Sequence, residues 1–399
     1  MVKIPKDIKS PCVETEELKD YLILLEEREK SLLNELCGMK YSREKHGFKR
    51  YKTRVRAVFT RFGKVKRKFV YVKGKNTEQF SPLLRWLGIN KNQHISEDFK
   101  RVLADKPSKM TYRKSAEDVR NSFNFSVSSM TLHKYVKETN SSVHIEQEPD
   151  SSHKVLLADG TKVKGSKMKH DVRTIVSIGD NGSGKRLLKQ AINRSWKEMS
   201  EEIDLSQYKV FVGDGEPGLS NALCTNDMEF HYCHEHAKRD LAFFLWKGGL
   251  RKKEYTLYTK QFEGVLHCLQ NSTKKHKEDK NYERLISRIA WTRKEVNTLA
   301  VTLSCRGFNE AAGFLMRNKE YFTTAAKMAV VGIDVPWTTN QMERVMQEIG
   351  IRTKKKGMYW SDEGLDRILK IVLKRYFLPK ERRYYKEIFA TPQVEAVKS

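Results

Sequence analysis

Between residues 153 and 214 three apolar runs follow one another, HKVLLADG, DVRTIVSIGD and YKVFVGDG, and each runs into an aspartate. Runs this short, rich in β-branched residues, read as strands. Helical stretches alternate with strands further along, a mixed α/β pattern. In the first and third runs the acid stands in an Asp-Gly pair, Asp159 and Asp214. Asp-Gly is a common turn, but an acid at the tip of an apolar strand is also a metal ligand. The rest of the chain bears on the choice.

The 399 residues leave room for two or three domains, and their net charge of +27 calls for an anionic partner, nucleic acid foremost. No apolar run nears the ~20 residues of a spanning helix, so no membrane role is expected. The opening MVKIPKDIKSPC lacks the apolar centre of a signal peptide. Six scattered cysteines, Cys12, Cys37, Cys224, Cys233, Cys268 and Cys305, form no disulfide framework. A reduced cytoplasmic setting, associated with the nucleoid, is the expectation.

Residues 1–145 are predicted to bind DNA. A helix is expected over 14–38. Residues 40–75 hold fifteen Lys or Arg and a single acid, Glu44, and 50–75 reads as a basic β-hairpin around a glycine turn. So many like charges repel unless phosphate neutralises them. Arg54, Arg56, Lys64, Lys66, Arg67 and Lys68 are therefore candidate DNA contacts. Residues 109–138 read as a helix-turn-helix, the first helix running from Thr111 to about 123 and the second capped by Ser128. The second helix of such a pair lies in the major groove, which makes Ser129, His133 and Lys134 candidates. Residues 139–153 read as a polar linker.

Beyond it, 150–248 and 336–380 are predicted to form the catalytic domain. A helical insertion is expected over 249–335 and a basic tail over 381–399. Residues 186–204 read as helical. Gly179 to Lys185 fit G-x-x-x-x-G-K, but Arg186 stands where a phosphate loop needs Ser or Thr. Asn181-Gly182 is a strong hairpin signal. A turn between antiparallel strands is predicted, and no nucleotide cofactor.

Far downstream, the helix that begins in VPWTTNQMERVMQEIG offers a third acid, Glu343. Carboxylates from separate elements suit Mg²⁺ or Mn²⁺, and two such ions can serve phosphodiester chemistry. In that picture Asp159 bridges the ions, Asp214 and Glu343 hold one each, and Gly160 and Gly215 leave room for DNA. Two alternatives stand beside it. Glu343 could be the capping-box partner of Asn340, and Glu348 is a rival third acid.

ADGTKVKG, VFVGDGEPGLSNAL, YCHEH and TTNQMERVMQEIGIRTKKKG occur in the order found in DDE transposases. The chain resembles the Mutator-like insertion-sequence transposases of bacteria and archaea. The resemblance implies an RNase H-like mixed sheet flanked by helices, behind a basic N-terminal DNA-binding region. It implies Asp159 as first acid, Asp214 in D-G-x-x-G-L with Gly215 and Gly218, a C-x-x-H pair at Cys233 and His236, and an N-x-x-E helix start at Asn340 and Glu343. The implied partners are element ends and target DNA, with a homodimer or larger assembly to join two ends. The pair at Cys233 and His236 also invites zinc, with His231, His234, Cys224, His267 or Cys268 to complete it. No second pair at finger spacing follows, so zinc is not expected.

Overall fold

The computed structural model describes residues 16–37, 47–75, 77–123, 125–140, 145–166, 168–179, 184–225, 227–354 and 357–378. The basic tail 381–399 and the turn at 180–183 lie outside them. The chain divides after Ser142 into two compact units.

The first unit opens with α1 (Glu16–Cys37) and a hairpin of β1 (Phe48–Thr60) and β2 (Gly63–Gly74). Gly63, at φ 119°, takes the conformation the hairpin turn requires. Leu18, Tyr21 and Leu25 of α1 bury one hairpin face through Val58, Val65 and Phe69. After α2 (Pro82–Trp86), α3 (Glu97–Asp105), α4 (Tyr112–Phe123) and α5 (Ser129–Asn140) share a core of Phe99, Leu103, Val119 and Leu132. Thr111 Oγ1 accepts the Lys114 N–H at 3.3 Å, and Ser128 Oγ accepts that of Thr131 at 3.0 Å. These hydroxyls satisfy donors that a helix start leaves open.

The second unit runs β3 (His153–Lys164), β4 (Lys169–Gly179), β5 (Lys185–Ile192), α6 (Trp196–Ser200), β6 (Val210–Gly213), α7 (Pro217–Leu223) and β7 (Glu229–Tyr232). The helices α8 (His234–Lys247), α9 (Lys252–Glu278), α10 (Tyr282–Cys305), α11 (Asn309–Asn318), α12 (Thr324–Val330), α13 (Asn340–Thr353) and α14 (Asp362–Phe377) follow. The sheet order is β5-β4-β3-β6-β7. β3, β4 and β5 are antiparallel neighbours, and β6 and β7 run parallel to β3.

Alternation along the strands builds two cores. Val155, Leu157, Val210 and Val212 face Met342, Val345 and Ile349 of α13 and Leu365 and Leu369 of α14. Leu156, Ala158 and Phe211 face Trp196 and Met199 of α6 and Leu219 and Leu223 of α7. The result is an α/β unit with a five-stranded mixed sheet between helices. Phe262, Leu299, Leu303 and Phe314 hold α9, α10 and α11 together in a further core. No helix of the described residues is long and apolar enough to cross a membrane.

Three expectations change. Residues 186–204 hold β5 and the short α6 rather than a long helix. Leu187 and Leu188 go to opposite cores, which a strand between two covered faces allows and a helix does not. Secondly, β3 does not end at Asp159. Its pairing with β4 continues to Lys164↔Lys169, while its parallel pairing with β6 stops at Leu157↔Val212. Asp159 thus stands inside a strand that overhangs its neighbour. Thirdly, the far half of the linker is structured. Ile145 is buried, and the Gln147 N–H donates to the Leu187 carbonyl at 2.7 Å, covering part of the edge of β5.

Candidate active site

Register brings the first two acids together. Leu157 of β3 pairs with Val212 of β6, and Asp159 and Asp214 each lie two residues further on. Two steps along a strand restore the same face. Asp159 therefore falls on the α13 face of β3, while Asp214 stands one residue past the end of β6 and its charge reaches Asp159. Asp214 is half-buried, and its Oδ1 accepts the Glu216 N–H at 3.2 Å. Asp159 Oδ1 accepts the Gly160 N–H at 2.7 Å.

The third acid arrives from across the core. Met342, Val345 and Ile349 anchor α13 on this face, leaving Glu343 exposed in its first turn. Burial pushes the Asp159 carboxyl up to about 6, and the nearby charges of Asp214 and Glu343 push the same way. The Gly160 N–H and the charge of His236 oppose the shift. Asp159 thus senses both other acids and His236 at once. Glu348 is placed differently. Its Oε2 takes the Arg375 guanidinium of α14 at 2.7 Å. Nor does Glu343 cap its own helix: Thr339, not Asn340, is the N-cap of α13, and it makes no side-chain cap bond.

Thr339 is engaged elsewhere. Its N–H and its hydroxyl donate to Cys233 Sγ at 3.3 and 3.4 Å, and its hydroxyl lies 3.4 Å from His236 Nδ1. Burial would raise the Cys233 thiol, yet hydrogen bonds from His236 and Thr339 bring it below its ordinary range. The bond to Cys233 raises His236 in turn. The His234 N–H also donates to the Trp337 carbonyl at 3.0 Å. The start of α8 thereby holds the segment that launches α13. Sequence reading pointed to Cys233 and His236 but missed Thr339, whose signal was only the polar TTN before a helix.

The glycines divide in role. A Cβ on Gly215 would stand 2.1 Å from the Tyr232 hydroxyl, which donates to Asp240 at 2.7 Å. Packing inside the fold therefore requires Gly215. A Cβ on Gly160 would meet Trp196 at an ordinary 3.4 Å, and one on Gly218 would meet nothing within 4 Å.

The donors are hard oxygens, which suit Mg²⁺ or Mn²⁺. Among the described residues, no three His, Cys, Asp or Glu side chains already form a group that could hold a metal ion. Asp214 and Glu343 act on Asp159 through their charges, and Glu343 is exposed.

The candidate DNA contacts of the first unit fall on two sides of the hairpin. Lys64, Lys66 and Lys68 alternate along β2 and are exposed, opposite Phe59, Ala57 and Val55. Arg54 is exposed, its guanidinium 5.8 Å from the Tyr71 ring. Arg56 donates to the Gln93 carbonyl at 2.7 Å, and Arg67 pairs with the buried Glu29 at 2.6 Å. Those two serve the interior of the unit. On α5, Ser129 is half-buried, His133 is exposed with its ring edge-on to Tyr112 at 5.5 Å, and exposed Lys134 lies 3.6 Å from Glu138.

The profile of an uncharacterised protein family (UPF0236) matches residues 23–217. That span contains Asp159 and Asp214 and ends before Glu343. No curated protein matches the chain. Among solved structures, it is similar to a Drosophila P element transposase strand transfer complex at 13% identity, over 77% of this chain and 84% of that one, with a TM-score of 0.27.

Proposed function

We propose that this protein is a DDE-type DNA transposase akin to the Mutator-like group, with an RNase H-like catalytic domain in its second unit and a DNA-binding region in its first. The observation that supports the reading is that the charges of Asp214 and Glu343 both act on the buried Asp159 carboxyl. Each aspartate lies two residues beyond the last paired position, Leu157↔Val212, and Glu343 stands in the first turn of α13. Asp159 on the first strand of the sheet, and an antiparallel pair between its second and third strands, support the RNase H-like assignment.

The reaction is hydrolysis followed by transesterification. Water attacks an end phosphodiester and the 3′-oxygen leaves as a free hydroxyl. That hydroxyl then attacks a target phosphodiester and displaces another 3′-oxygen. Mg²⁺ or Mn²⁺, bound in a pair, would activate the attacking oxygen and offset charge on the phosphate. Asp159, Asp214 and Glu343 would hold the ions, and crowding of like charges gives Asp159 reason to accept one. Cys233, His236 and Thr339 keep α13 where Glu343 can join. Two ends cut in concert call for two copies of the chain.

The test is DNA carrying the sequences that flank the gene, incubated with the full chain and Mg²⁺ or Mn²⁺. Nicked ends bearing 3′-hydroxyls and joined products are expected. Asp159→Asn and Asp214→Asn should each cut at least about 10²-fold more slowly while still binding DNA. Glu343→Gln should fail where Glu348→Gln cuts. Wild-type cleavage by either aspartate variant sinks the reading. DNA bound by the wild type but never cut would make the protein a regulator instead.

A further inference from the structure

The hairpin of α9 and α10 carries a second basic surface. Arg284, Arg288 and Trp291 stand at i, i+4 and i+7 on α10, hence on one face. With Lys275 and His276 of α9 they line an open groove of about 730 Å³ that has no carboxylate in its walls. Some other cations of the same bundle are matched. Lys238 meets Glu263 at 2.8 Å, Lys277 meets Asp334 at 2.9 Å and Arg293 meets Glu320 at 2.7 Å. Lys275, Arg284 and Arg288 enter no ion pair among the described residues. Nδ1 of His276 is buried without a hydrogen-bond partner among the described residues. The Arg288 guanidinium lies 4.7 Å over the half-buried Trp291 ring.

We propose that this groove is a second DNA-binding surface, separate from the basic hairpin, which holds a strand of the DNA being processed. The inference rests on the proposed function. Unmatched cations in an open groove suit successive phosphates better than a single small anion. The stacked arginine and indole offer a flat face for an unpaired base, since every base has a π-face to lay on it. Phosphates contact Lys275, Arg284 and Arg288, and a base leaving the duplex rests on the Arg288–Trp291 stack.

The experiment uses the full chain, a blunt DNA duplex, and the same duplex with a single-stranded flank. Binding is titrated from 50 to 200 mM salt. The triple variant Lys275→Ala, Arg284→Ala, Arg288→Ala should lower the slope of log affinity against log salt by about 2 to 3, at ~0.9 per phosphate contact. Trp291→Ala should weaken the flanked duplex about fivefold or more and leave the blunt one unchanged. Circular dichroism of each variant should match the wild type, since the side chains removed are exposed or half-buried. A triple variant that keeps the wild-type slope and affinity overturns the groove and leaves the proposed function standing. A wild type that binds no DNA overturns both. ATP that binds the wild type, displaces DNA and is lost to the triple variant would make the groove a nucleotide site and overturn the proposal.

Discussion

At the residue scale the most informative group is Asp159. Burial first, then Asp214 and Glu343, raise its carboxyl from 3.8 to about 6. Below pH 4 the group is protonated in both the folded and the unfolded chain and contributes nothing. Between about 4 and 6 the unfolded chain ionises first, so stability falls as pH rises. Above 6 the loss is complete, at most about 3 kcal/mol at 1.36 kcal/mol per unit. Mg²⁺ favours the ionised form and should reverse the loss. We expect the melting temperature of the wild type, relative to Asp159→Asn, to drop from pH 4 to 6.5 without metal and to recover with Mg²⁺. Thermal melts across that range, with and without Mg²⁺, check it. A difference that stays flat with pH would mean Asp159 is not crowded. Motif reading named this residue and the two acids whose charges act on it, because Asp-Gly and N-x-x-E are local patterns. It could not find that Gly215 yields to Tyr232, or that Thr339 serves Cys233. Those contacts join residues far apart in the chain and leave no periodic trace.

The β1–β2 hairpin shows how one element divides its charges. On the covered side, Arg67 satisfies Glu29, which is 6% exposed and also accepts the Val70 N–H at 3.0 Å. Arg67→Ala strands that carboxylate in the interior and should destabilise the first unit by about 3 kcal/mol. Lys66→Ala, on the open side, should change stability by less than about 0.5 kcal/mol. Denaturant unfolding of the full chain distinguishes the two, and equal losses would refute the division. Sequence alone placed Arg67 and Lys66 in one list, because adjacent cations in a strand look alike until a partner such as α1 covers one face. β5 taught the same lesson in reverse. Arg186, Leu187, Leu188 and Lys189 are good helix formers, yet pairing with β4 and burial on two sides outweigh that preference. The helical pairs and short strands elsewhere were legible, since their apolar spacing agrees with their packing.

For the whole molecule, a net charge of +27 would make the proposed affinity for DNA an electrolyte effect. With six or more phosphates contacted, binding to duplex DNA should weaken by roughly 10³ or more between 50 and 200 mM salt. Fluorescence anisotropy over that range measures it, and a weak salt response would count against backbone contact. The charge is legible in composition, but the groove of α9 and α10 was not, for its cations come from two helices and assemble only on folding. The pairing of Leu157 with Val212 carries a further consequence. Loss or gain of one residue between Val155 and Asp159 would leave every letter of the motif in place. The carboxylate, however, would emerge through the opposite side of the sheet, among Trp196 and Leu219. Such a variant would keep the motif on paper and lose its placement, so counting the frame from strand to acid tells more than spotting the acid itself.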